Sequence, residues 1–304
     1  MDKKNTTIGV LLLLVAFGSL YFLSPRQQPD AATPAPAATA AGQPTAAAPV
    51  AATLTTTAPA VPNATFAAVA SDNTDATVST LSNDYVTLRL TDFGGAILDV
   101  AFKKYAAVQG QPDPFVFNRL HAAPILALDD FPGLGTTTRF TLVSASATEI
   151  VYRAVVENRI EITRRYVLRA TGDTSGDPYR IRHETTFRNL TDQTTVLPRA
   201  AVNLGTAALV DGNDKGQYLN LAIYDGDNAS FIDRSALQGG GVLSNVGIGN
   251  RADLASLERN ETTVWAGVKN QFFASIFTPD KPGVGVLVRR IELPPLAGST
   301  IPLS

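Results

Sequence analysis

Apolar and polar residues alternate along most of the chain past residue 80. In NDYVTLRLT, Val86, Leu88 and Leu90 fall on one face, the period-two pattern of a strand with one buried side. FGGAILDVAF follows, and its Gly94-Gly95 pair marks a turn or bulge where positive φ is accessible. EIVYRAVVE, RIEITRRYVLRA, PYRIRHETTFRN, QYLNLAIY, TTVWAGV, FFASIF and VGVLVRRIEL read as further strands. TGDTSGDP, LVDGNDKG, YDGDN and TPDKPG separate them as turns. One short helix is expected around RADLASLERN. Many short strands between Gly/Asp/Pro turns imply an all-β antiparallel sandwich rather than an α/β fold.

One hairpin has a register that can be read in advance. In RIEITRRYVLRA, Ile160, Ile162, Tyr166 and Leu168 share a face; in YRIRHETTFR, Tyr179, Ile181, His183 and Phe187 do. Pairing Leu168 with Ile181 also sets Ile162 opposite Phe187. On the other face it sets Arg165 opposite Glu184 and Glu161 opposite Arg188. Opposite charges facing each other contribute about 0.2–1 kcal/mol each. The wet face carries Arg159, Arg165, Arg169, Arg180, Arg182 and Arg188. It reads as a solvated, ion-paired face, with a basic surface that meets anionic lipid headgroups as the sharper alternative.

Toward the N-terminus the pattern changes. Ile8 to Leu23 is an apolar run flanked by Lys3 and Lys4 before it and Arg26 after it. Its length is near the lower end of what spans a bilayer core of about 30 Å. The best small-x-small site, Ala16-Phe17-Gly18, lies inside the run, which argues against a cleaved leader. Residues 1–24 are therefore expected to be a transmembrane signal-anchor, N-terminus in the cytoplasm. Residues 25–80, rich in Ala, Pro and Thr, are expected to be a disordered tether. Residues 81–304 form the β domain.

Composition then removes chemistry rather than adding it. The chain has no cysteine, so lipoprotein anchors, disulfides and thiolate metal sites are excluded. A net charge of −2 argues against a nucleic-acid partner. Of the two histidines, His183 falls on an apolar strand face while Glu184 points the other way; His121 sits in NRLHAAP with no metal-ligand spacing. DGNDKG matches a calcium loop at Asp211, Asn213 and Gly216, but Lys215 and Ala222 occupy ligand positions. Asp129-Asp130 reads as loop solvation, since adjacent carboxylates rarely present the separation glycoside chemistry requires. No P-loop, G-x-G-x-x-G or G-x-S-x-G is present. No catalytic, cofactor-binding or metal residue is assigned, and the chain is expected not to be an enzyme.

Three stretches together resemble a known family. MDKKN followed by an apolar run and a low-complexity tether, then NDYVTLRLTDFGGAILDVAFKKY, then WAGVKNQFFASIFTP with Trp265, Gln271, Phe272 and Phe273, are similar in order and spacing to bacterial YidC-type membrane protein insertases. The resemblance implies a β-supersandwich of the galactose-mutarotase type, placed in the periplasm at the inner membrane. It implies a chaperone role in inserting and folding membrane proteins, alone or with the Sec translocon. The implied partners are nascent membrane proteins, Sec translocon components and the lipid bilayer. The chain ends at PPLAGSTIPLS, before the family's five later transmembrane helices and groove arginine, so the expectation is the N-terminal portion of a longer protein with a truncated β domain. The alternative is an anchored periplasmic carbohydrate-binding or mutarotase-like protein, because fold alone does not fix function.

Overall fold

The structure is a computed structural model that describes residues 75–119, 123–135, 137–211, 214–239 and 252–291. All of them lie in the second of two units of the chain, Ala60–Ser304. In chain order the strands are β1 (Val78–Ser82), β2 (Val86–Thr91), β3 (Ala96–Ala106), β4 (Pro114–Phe117), β5 (Leu128–Asp129), β6 (Thr141–Ala145), β7 (Glu149–Val156) and β8 (Ile160–Leu168). They continue as β9 (Ile181–Asn189), β10 (Ala201–Val202), β11 (Asn220–Tyr224), β12 (Ala229–Asp233), β13 (Ser256–Arg259), β14 (Trp265–Lys269), β15 (Ala274–Phe277) and β16 (Val286–Arg289). A single 3₁₀ turn, Arg234–Ala236, is the helical element among the described residues. The fold is all-β, and every strand pairing is antiparallel.

Two four-stranded sheets, β1-β2-β3-β4 and β6-β7-β8-β9, share one core. Leu81, Leu88, Leu90 and Ile97 from the first pack with Ile150, Ile162, Tyr166 and Leu168 from the second. Each fully buried aliphatic side chain contributes about 1.5–3 kcal/mol of transfer free energy. The β8–β9 register is the one the two-faced pattern predicts: Leu168↔Ile181, Ile162↔Phe187, Arg165↔Glu184 and Glu161↔Arg188. The Gly94-Gly95 turn is also as expected, with φ of +69° and +54°. A Cβ on Gly95 would meet Phe140 at 2.9 Å, so the second glycine is required by packing as well as by backbone conformation.

The later half is built from a four-stranded sheet of shorter strands, β12-β11-β14-β15, and two two-stranded sheets, β13-β16 and β10-β5. Thr263↔Gly283 bridges between the β13–β16 and β14–β15 pairings. Residues 256–269 and 274–289 thus form one long hairpin interrupted by a bulge. Its tip is ordered by Asn270, whose Oδ1 accepts the N–H groups of Phe272 (3.1 Å) and Phe273 (2.9 Å).

Two expectations are corrected. The segment expected as a helix around RADLASLERN contains β13, with Leu257 paired to Val288. Leu254 and Leu257 are three apart, which imitates a helical face, but pairing with a strand some thirty residues later prevails. Asp129 is not a solvated loop residue; it lies in β5, paired with Ala201. Strand structure also begins at Val78, ahead of residue 81. The anchor, most of the tether, His121, Asn213 and residues 292–304 lie outside the described residues. Among the described residues no helix is long and apolar enough to cross a membrane.

Candidate functional site

A cleft of about 930 Å³ opens in the later half of the domain, within the range of sites that bury small ligands. Its walls are apolar: Val202, Leu204, Leu221, Ile232, Val286 and Val288. Residues 199–209 and 283–291 line it without a gap in sequence. A strand that presented only a face would contribute every second residue; an unbroken run means the backbone itself borders the space.

Charge around the cleft is balanced. Arg199 pairs with Glu258 at 3.5 Å and Arg290 with Asp253 at 2.8 Å. Asp129 is held on β5, where burial raises its carboxyl pKa. The Asn203 Nδ2–H group donates to its Oδ2 at 3.3 Å, and the positive charge of Arg289 also opposes the rise. Asp130, beside it, has φ +57° and lines the same cleft. Among the described residues no three His, Asp or Glu side chains converge as they would on a metal ion.

A second polar cluster lies inside the sandwich core. Arg164 is fully buried. Its Nη1 donates to the Gly94 carbonyl at 2.6 Å, and its Nη2 donates to the Leu126 carbonyl and approaches His183 Nε2 at 3.2 Å. A guanidinium has donors only, so Nε2 of His183 accepts and the proton sits on Nδ1, 3.2 Å from the Arg165 carbonyl. Thr185 Oγ1 is 2.9 Å from the same Nε2. Burial, reinforced by the charge of Arg164, pushes the His183 pKa down to about 3. Tyr166 stacks on the His183 ring with centroids 4.4 Å apart, and its hydroxyl donates to the Gly95 carbonyl at 2.7 Å. Burial pushes the Tyr166 pKa up to about 12. The cluster ties β8 and β9 to the Gly94-Gly95 turn. It does not line the cleft, and an imidazole held neutral against an arginine is a structural group rather than a general base.

The sequence pattern did not single out Arg164, although alternation was the signal: it stands between Ile162 and Tyr166 on the apolar face. On the wet face of β7–β9, Arg165 contacts Glu149 (2.5 Å) and Glu184 (3.2 Å), and Arg182 contacts Glu184 (2.9 Å). Glu161 lies between Arg153 (3.7 Å) and Arg188 (3.6 Å). Arg169, past the end of β8, instead donates to the carbonyls of Ser175 and Gly176. The face is an ion-paired ladder. Around Asp211 the backbone closes a turn, with Asp214 N–H donating to Asp211 Oδ1 at 3.0 Å; Ala222 is buried in β11.

An aromatic cluster joins the two halves. Phe273, at the tip of the long hairpin, stacks on Phe115 with centroids 3.9 Å apart and lies 5.0 Å from Phe102 and 5.7 Å from Tyr105. Beside it Phe272 is two-thirds exposed. No protein-family model matches this chain, and no curated protein matches it.

Proposed function

We propose that this chain is the N-terminal portion of a YidC-type membrane protein insertase: an anchor, a tether and a periplasmic accessory domain of the β-supersandwich, galactose-mutarotase-like type. The accessory domain works as a binding scaffold and chaperone rather than as an enzyme. It acts at the inner membrane on nascent membrane proteins, beside Sec translocon components. The observation that carries the reading is the meeting of two of the three resembling stretches. NDYVTLRLTDFGGAILDVAFKKY and WAGVKNQFFASIFTP lie far apart in sequence, yet Phe102 and Tyr105 of the first pack on Phe273 of the second. The all-β antiparallel architecture is consistent with it.

The test is site-specific photocross-linking from position 272 of the full chain in inner-membrane vesicles programmed with ribosome-bound nascent membrane proteins of known sequence. Cross-links to the nascent chain or the Sec translocon support the reading. A chain that alkaline carbonate extracts from the membrane, with neither cross-link, refutes it. A carbohydrate-binding function is the second reading, favoured by Asp129 and Asp130 in one cleft. Calorimetric titration with monosaccharides separates the two: saturable heat lost on Asp129→Asn supports the sugar reading.

A further inference from the structure

The cleft has a feature that its volume does not express: strand edges whose hydrogen-bonding groups find no partner among the described residues border it. Directly after β10, Asn203 donates its N–H to the Ala127 carbonyl at 2.9 Å and accepts from Leu126 N–H at 2.6 Å. Successive residues of a strand direct their backbone groups to opposite edges. The N–H and C=O of Val202 therefore point away from β5, and β10 has no second neighbour in its sheet among the described residues. On β16, Arg290 donates to the Ala255 carbonyl at 2.9 Å and Val288 pairs with Leu257. Leu287 consequently directs its backbone groups to the edge away from β13, where the sheet ends among the described residues. Val202, Leu204 and Leu287 all line the cleft.

The apolar packing here is also incomplete. Leu221, Ile223 and Ile232 are buried, whereas Leu204, Leu257, Val286 and Val288 pack against them only half-buried. The cleft thus combines backbone donors and acceptors that are unpaired among the described residues with half-covered aliphatic side chains, and its charged side chains are balanced rather than of one sign. A sugar or a compact ligand uses side-chain donors; an edge with free N–H and C=O groups is complementary to another extended backbone.

We infer that the cleft binds an extended polypeptide segment, uncharged and with alternating apolar side chains, by strand addition at the edges of β10 and β16. The inference stands on the edges and walls of the cleft and does not rest on the insertase reading. The main chain of the guest supplies hydrogen bonds to Val202 or Leu287, and every second guest side chain covers Val286, Val288 and Leu204.

The test titrates the full chain with a fluorescein-labelled octapeptide of alternating Val and Thr, read by anisotropy. Two further peptides carry N-methyl groups on the odd or on the even residues, and a fourth carries a photoreactive side chain. The protein is unaltered, so no loss of binding reports misfolding. Expected are saturable binding, photoadducts within residues 199–209 or 283–291, and about tenfold weaker binding of at least one methylated peptide, the loss of one or two net hydrogen bonds. Absence of saturable binding overturns the inference, as do equal affinities for all three peptides or adducts confined elsewhere. Deleting residues 292–304 provides an internal check. If the peptide binds only after that deletion, the chain's own end fills the cleft and the guest assignment is overturned. If binding requires dimerisation, a second copy is the occupant and the inference falls equally.

Discussion

The two halves of the domain solve the same packing problem unequally. Where β1–β4 face β6–β9, eighteen buried apolar residues form one cluster among the described residues; around β11–β16 the corresponding buried cluster has three. Both halves are antiparallel and both alternate, so strand propensity does not separate them. Strand length and cover do. The first half sets two four-stranded sheets, with strands of up to eleven residues, against each other, whereas the later four-stranded sheet has strands of four or five residues and two-stranded sheets beside it, of which two-residue β5 and β10 cover little of what lies opposite. The first half is a closed interior, and the second keeps surface in reserve.

Substitutions sharpen that contrast, from the largest effect downward. Ile162→Ala, in the closed half, is expected to lower stability by about 2–5 kcal/mol, read as a shift of the guanidinium midpoint. Arg164→Lys keeps the buried charge but cannot span both carbonyls, and a loss of about 1.5–3 kcal/mol is expected by the same measurement. His183 adds a pH dependence. Its folded pKa of about 3 lies below the ordinary 6.5, so the unfolded chain takes up the proton first. Its contribution is fully present above pH 6.5 and is lost as pH falls toward 3, at roughly 1.4 kcal/mol per pH unit. Denaturation at pH 7 and pH 5 should show His183→Gln abolishing about 2 kcal/mol of that difference. Val286→Ala, in the open half, removes two methyl groups from a half-covered site and is expected to cost less than about 1 kcal/mol. A cost equal to that of Ile162→Ala would erase the distinction between the halves. Glu184→Gln breaks two exposed ion pairs and is expected to leave the guanidinium midpoint nearly unchanged, the more so in high salt.

What was legible in the sequence follows the same division. The β8–β9 register could be read because both faces constrained it: a slip of one residue would bury Arg165 and expose Ile162. Its neighbour Arg164 shows the limit, because a charged residue on an apolar face reports a buried polar contact without naming the contact. The partners, the carbonyls of Gly94 and Leu126, come from turns whose approach no local pattern encodes. β6 was missed for a different reason. All five of its residues are exposed, so neither face carried an apolar signal. β13 was missed because its partner β16 is distant while its leucine spacing is helical. The cleft was invisible for a cumulative reason, since its border comes from backbone edges contributed by separate segments. Asp129 accordingly read as a loop residue when its surroundings make it half-buried.

The stacking of Phe273 on Phe115 sets a schedule as well as a contact. A nascent chain completes the β3–β4 hairpin long before it contains residue 273. About 160 residues separate the two rings, so at roughly 5–20 residues per second the gap lasts about 8–30 s. Through that interval Phe102, Tyr105 and Phe115 stand at the end of a finished hairpin without the ring that later covers them. The domain therefore emerges with its earliest strands waiting on one of its last. Whatever holds the chain during translation must shield an aromatic surface that Phe273 partly covers in the mature fold.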